Sequence, residues 1–230
     1  MLTLDAVRIE QDGFHLSAEF TLEPGAIAAV LGPSGAGKST LINAIAGFVP
    51  LAGGAIAWQG RDIGSLPPAE RPLSILFQDH NLLPHLTVFQ NVALGLKPSL
   101  RLTASETARV AGALDRVGLS GLHDRKPARL SGGQISRAGL ARVLLRQKPL
   151  ILLDEPFSAL GPALKHDMLD LVADIAGQSG ASVMMITHDP QDARRLCPQT
   201  LLVAGGSVSA PRDTAALLAD PPAALRAYLG

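Results

Sequence analysis

Cysteine is nearly absent. Cys197 is the only one in 230 residues, so no internal disulfide can form, and a cytosolic chain is the simplest reading. Taken alone, its thiol reads as a small apolar packing group. A surplus of charge of either sign is also missing. Lys+Arg and Asp+Glu number 20 each, and without a basic excess nothing points to a nucleic-acid partner. Internal repeats, low-complexity tracts and long coiled coils are absent as well. No apolar run reads as a membrane span. Residues 39–60 carry no charge over about the length of a span, but Gly47, Pro50, Gly53 and Gly54 interrupt them, and Asn43 and Gln59 lie among them. That stretch reads as a helix, a turn and a strand. The opening MLTLDAVRIE has an early Asp5 and no basic segment ahead of an apolar core, unlike a signal peptide.

What is present is ample core material. Hydrophobic residues make up 47% and charged residues 17%, a balance that favours a folded globular chain. Residues 2–10 and 14–22 alternate like two strands, with Asp12-Gly13 as a hairpin signal between them. AIAAVL (26–31), AIAWQG (55–60), LSILF (73–77), LILLD (150–154) and SVMMIT (182–187) read as further strands, several of them continuous apolar runs of the buried parallel kind. Helices are expected from Lys38 to Gly47, after a Thr103/Glu106 capping box up to Gly118, over 134–147 behind Ser131, from Pro162, and from Asp189-Pro190. The alternation predicts an α/β fold with a mainly parallel sheet. Between about 80 and 145 strand signals vanish, so this part reads as a helical subdomain inserted into a single domain spanning 1–230.

GPSGAGKS (32–39) fits G-x-x-x-x-G-K-[ST] at every fixed position. Glycines allow backbone N–H groups to turn inward around phosphate oxygens, and the helix that follows adds its positive end. Lys38 would reach the outer phosphates and the Ser39 hydroxyl would ligate Mg²⁺. In LILLDEP, Asp154 falls at the carboxyl end of a buried strand, where such sheets place ligands, and would hold the cation. Glu155, next along, projects differently and could polarise an attacking water. Ser131, Gly132 and Gly133 precede a helix and form a second anion nest. Yet the chain has one lysine-bearing phosphate loop. A second phosphate-binding surface without such a loop suggests that it serves another molecule's nucleotide, as two copies arranged around a two-fold would allow.

GPSGAGKST, Gln78, LSGGQ (130–134), LILLDEP and His188 occur in the order and spacing of ABC-transporter nucleotide-binding subunits, and the chain resembles that family over nearly its whole length. The resemblance implies a P-loop NTPase core, an N-terminal antiparallel β-subdomain and an inserted helical subdomain. It implies that Gly32, Pro33, Ser34, Gly35, Ala36, Gly37, Lys38, Ser39 and Thr40 bind ATP. Ser131, Gly132, Gly133 and Gln134 would act across a head-to-tail dimer on the partner's ATP. Mg²⁺ would lie near Ser39, Gln78 and Asp154, while Glu155, His188 and Gln78 would serve hydrolysis. Partners would be a second copy, an integral membrane permease and, indirectly, a periplasmic binding protein, with the chain peripheral on the cytoplasmic face of the inner membrane. Leu82, Leu83, Leu86, Val88 and Phe89, after Gln78, either line a groove for a permease helix or belong to the core of the helical part. The sequence departs from the family at two places. Gly161 stands where the family usually has Asp, in a loop that touches the opposite subunit. Gln11 falls where an aromatic usually stacks on adenine, leaving Phe14 and His15 as candidates. Residues 71–102 and 154–164 look closest to the ATPases of bacterial thiamine importers, thiamine phosphates included, with amino-acid, metal or lipoprotein-system ATPases as the alternatives. Sugar- and polyamine-importer ATPases carry an extra C-terminal regulatory domain, which is not expected here. An ABC ATPase acting away from membranes and a non-hydrolysing subunit are the remaining readings.

Overall fold

The computed structural model describes residues 1–230 except Asp12, His80, Ala159, Gly230 and the side chain of Leu229. Strands β1 (Leu2–Gln11) and β2 (Phe14–Leu22) form an antiparallel pair that closes at Gln11↔Phe14, with Gly13 at φ 80°. Asp12 of the hairpin signal lies outside the described residues. A bulge at Ala6 (φ 43°) kinks β1. Strand β3 (Ile27–Leu31) leads into helix α1 (Lys38–Ala46), which Gly47 ends in a left-handed conformation. Strands β4 (Gly53–Trp58) and β5 (Arg61–Asp62) follow, then β6 (Leu73–Leu76). The 39–60 stretch is therefore helix, turn and strand. Among the described residues no helix is long and apolar enough to cross a membrane.

Three helices come next: α2 (Val88–Ala93), α3 (Ala104–Arg116) and α4 (Gly132–Leu145). Each begins with a capping box, formed by Thr87/Gln90, Thr103/Glu106 and Ser131/Gln134 respectively. Helix α4 starts and stops two residues before the expected 134–147. Ser131 caps it directly, and Gln147 at φ 50° turns the chain ahead of Pro149. These helices share an apolar cluster that includes Val92, Val110, Leu114 and Ala141.

The chain returns to the sheet in β7 (Leu150–Asp154), α5 (Pro162–Ser179), β8 (Ser182–Ile186), α6 (Pro190–Leu196) and β9 (Gln199–Ala204). It then runs through β10 (Ser207–Val208), β11 (Arg212–Asp213), α7 (Thr214–Ala219) and α8 (Ala223–Leu229). The sheet order is β5-β4-β1-β2-β10-β9-β3-β8-β7-β6, with β11 on β9. From β9 to β6 every neighbouring pair is parallel. Strand β3 shows why its sequence is continuously apolar. Ala28 and Val30 face one cluster with α1, while Ala29 and Leu31 face another with α5 and α6. Both faces are covered, so alternation is unnecessary. Cys197 is buried in the second cluster, and that burial pushes its thiol pKa up.

Candidate nucleotide site

The loop from Gly32 to Gly37 joins the end of β3 to α1. Its glycines are required by geometry. A Cβ on Gly32 would lie 2.1 Å from the Val203 carbonyl oxygen, and one on Gly37 would lie 2.5 Å from Phe14 Cζ. Gly35 and Gly37 have φ of 75° and 103°. The Lys38 ammonium donates to the carbonyl oxygens of Gly32 (2.8 Å) and Pro33 (2.9 Å). Burial lowers its pKa below the ordinary lysine value, against the pull of Glu155 and then Asp154. A half-buried cation is thus held over the loop, facing two carboxylates.

Asp154 ends β7, paired with Ile186 of β8. Burial raises its carboxyl above the usual range; a hydrogen bond from Ser39 works the other way, Glu155 adds to the rise and Lys38 opposes it. A buried carboxylate beside a hydroxyl is a donor set that suits Mg²⁺, which takes one or two protein oxygens and completes its shell with phosphate and water. Among the described residues no three His, Cys, Asp or Glu side chains cluster as a metal cage.

Glu155 has φ 44°, and its N–H donates to the Ile186 carbonyl at 3.1 Å. This left-handed residue breaks the strand alternation and turns the carboxylate toward the neighbouring loop. There His188 Nδ1 lies 3.2 Å from Glu155 Oε2. Strain of this kind, held in place by surrounding structure, concentrates at functional sites. The His188 loop is braced. Lys165 of α5 pairs with Asp189 at 2.6 Å and Asp192 at 2.9 Å. Thr187 Oγ1 donates to Asp192 at 3.0 Å. The Tyr228 hydroxyl donates to the His188 carbonyl oxygen at 2.9 Å. Lys165 and Tyr228 were not expected from the sequence. Forty residues separate Tyr228 from its acceptor, and no motif marks either.

The structure therefore brings Lys38, Ser39, Asp154, Glu155 and His188 together. Ser34, Gly35 and Ser39 are exposed, while Pro33, Ala36 and Thr40 are half-buried. Gln78 follows β6 and is exposed, with no described hydrogen bond to Ser39 or Asp154. Ser131 to Gln134 lie at the start of α4, and no described hydrogen bond or ion pair joins them to the 32–40 loop. Ser131 Oγ accepts from the Gln134 N–H at 3.3 Å, and Gln134 Oε1 accepts from the Ser131 N–H at 3.0 Å. Among the described residues no acceptor takes the hydrogen of the Ser131 hydroxyl, which is left to donate. A Cβ on Gly133 would lie 2.9 Å from Leu164 Cδ2, so α4 sits hard against the start of α5; Gly132 meets nothing within 4 Å. Gly161 is the N-cap of α5 without a side-chain cap, and a Cβ there has open space; Ala159 of the same loop lies outside the described residues.

Phe14 packs on the core and against Gly37, so it serves the loop as a floor; Gln11 is exposed, and exposed His15 lies 4.0 Å from Glu10. Among the five apolar residues after Gln78, Val88 is fully buried, and Leu82 and Phe89 pack on the helical cluster. An open groove of about 560 Å³ is lined by residues such as Phe48, Leu73, Ile75, Leu94 and Leu96.

Residues 16–158, more than half of the chain, match the family described as ABC transporter. Over all 230 residues, and the whole of each relative, identity is 61% to the thiamine import ATP-binding protein ThiQ of Cereibacter sphaeroides and 53% to that of a Ruegeria species. The ATP-binding cassette MJ0796, solved as a dimer in a post-hydrolysis state bound to ADP and Pi, superposes with a TM-score of 0.83 at 26% identity. That likeness covers 93% of this chain and 99% of the other. Phosphate loop, buried acidic strand end, capped signature helix and full-length likeness converge on one conclusion: the chain belongs to the ABC transporter family, as an ATP-binding cassette.

Proposed function

We propose that this chain is the ATP-hydrolysing motor of an importer for thiamine and its phosphate esters. The observation that carries the cargo is the 61% identity, end to end, with a thiamine import ATP-binding protein. In this reading the 32–40 loop and Lys38 bind the phosphates of ATP. Ser39 and Asp154 would hold Mg²⁺, with Gln78 nearby, and the bound ion would supply neutralisation of phosphate charge. Glu155 accepts a proton from the attacking water, and His188 meets the terminal phosphate. The 3.2 Å contact between Glu155 and His188 supports this pairing of roles. Ser131, Gly132, Gly133 and Gln134 complete the site of a second copy, a reading favoured by the free donor on Ser131 and by the dimeric form of the solved cassette. ATP then does work because it binds the closed dimer better than the open one, and loss of the terminal phosphate releases it.

The chain sits on the cytoplasmic face of the inner membrane, against a permease fed by a periplasmic binding protein. Helices α2–α4 move as a subdomain within residues 80–145 and relay closure to the permease. Phe48 at 53% exposure and Leu83 at 40% are large apolar side chains left open to such a partner. The test is uptake of labelled thiamine by cells carrying Glu155→Gln. Turnover is expected to fall about 10²–10⁴-fold, ATP binding to persist, and thiamine accumulation alone to collapse. Normal thiamine uptake with a purified variant that no longer hydrolyses ATP would show that the cargo is another solute.

A further inference from the structure

Residue 188 lies beyond the end of β8 and before α6, so no sheet or helix ladder fixes its peptide. Its imidazole is about half exposed, yet it must point at Glu155 to be useful. Among the described residues one hydrogen bond reaches its carbonyl oxygen, and the donor is the Tyr228 hydroxyl of α8 at 2.9 Å. Helix α8 is itself anchored, since Leu225 is fully buried in the cluster that covers the sheet, and Tyr228 packs against that cluster. The donor is thus held from below by core packing, with its hydroxyl delivered to the loop above. Burial, followed by the charges of Glu155 and Asp189, keeps the phenol above its ordinary pKa and so protonated. A carbonyl gripped by a rigid donor, with the Asp189 N–H held by Thr187 Oγ1 on the opposite edge, fixes the orientation of the 188–189 peptide, and with it the direction of the His188 side chain.

We propose that Tyr228 is a positioning residue for hydrolysis, holding the His188 backbone so that its imidazole meets Glu155 and the terminal phosphate. The inference rests on the reading of His188 given above. Lys165 steadies the first turn of α6 through its N-cap Asp189 and through Asp192, and among the described residues no hydrogen bond or ion pair joins it to residue 188. On the other edge of that peptide the Asp189 N–H donates to Thr187 Oγ1 at 3.1 Å; among the described residues Tyr228 is the donor to its carbonyl oxygen.

The test is a double-mutant cycle on the full-length chain, reading kcat, KM for ATP and melting temperature of wild type, Tyr228→Phe, His188→Ala and the double variant. Loss of one neutral hydrogen bond should lower kcat about threefold to tenfold in Tyr228→Phe, with KM and melting temperature held. In the His188→Ala background the same change should have no further effect, because coupled residues are non-additive. Wild-type kcat in Tyr228→Phe overturns the proposal. So does an equal loss in both backgrounds, or a lowered melting temperature with kcat intact, which would mark a structural peg. Should His188→Ala itself turn over like wild type, the failure belongs to the reading of His188, and the proposal falls with it.

Discussion

Gly32 shows how much chemistry a missing side chain carries. It touches no ligand through a side chain, yet its Cα lies so close to β9 that a Cβ would enter the Val203 carbonyl. Its own carbonyl also seats the Lys38 ammonium. Gly32→Ala is therefore expected to cost about 1–3 kcal/mol from overpacking and to weaken ATP binding together with stability. A thermal melt and a nucleotide titration on one sample would check it, and an unchanged melt would contradict the contact. Glu155 makes the complementary point. Its left-handed backbone is a strain that Gly would relieve, but Gly would also remove the carboxylate that faces His188 at 3.2 Å.

Among elements, α5 and α6 are joined by Lys165. Burial opposes the charge on Asp189, but the hydrogen bond from Lys165 and the Gln191 N–H outweigh it, so the carboxyl sits below the ordinary carboxylate range. Burial likewise opposes the charge on Lys165, and its bonds to Asp189 and Asp192 raise it above the ordinary lysine value. The sign follows for each group. A lowered carboxylate stabilises the fold above its unfolded value and loses that contribution as pH falls through the folded value. A raised lysine contributes below its unfolded value and loses it as pH rises through the folded one. Lys165→Met should therefore lower the melting temperature most near neutral pH. Its difference from wild type should shrink below about pH 4 and above about pH 10. A difference that stayed constant from acid to alkali would mean the pair contributes packing alone.

At the scale of the whole molecule, the two proposed phosphate-binding surfaces of one chain are joined by no hydrogen bond or ion pair among the described residues. The loop at 32–40 belongs to the sheet body; Ser131 to Gln134 start α4 of the helical part. In the proposed head-to-tail pair, the 32–40 loop of one copy would meet the start of α4 of the other. In Glu155→Gln, ATP should accumulate unhydrolysed and hold the pair together. Light scattering is expected to give twice the monomer mass with ATP and the monomer mass without. Adding Ser131→Arg should return the ATP sample to monomer. A dimer that ignored Ser131 would place the interface elsewhere.

The elements around the site are encoded locally. Strand periodicity, capping pairs such as Thr103/Glu106 and Ser131/Gln134, and the spacing of GPSGAGKS and LILLDEP depend on neighbours a few residues apart. Local chain geometry therefore made them legible, and Lys38, Asp154 and Glu155 with them. Only the tertiary structure decided the rest. The short elements β10 and β11 and the helices α7 and α8 carry too little periodicity to stand out, and they form because β9 and the core are there to receive them. Phe14 is a floor for Gly37 because the β1–β2 hairpin folds beneath the loop. Val88 is core because α3 and α4 close over it. The brace on His188 joins residues 165, 188 and 228, whose meeting depends on how α5 and α8 pack beside β8. Packing of that kind is set by whole faces of helices and a sheet, and no local pattern encodes which distant side chain those faces bring within 3 Å of a given carbonyl.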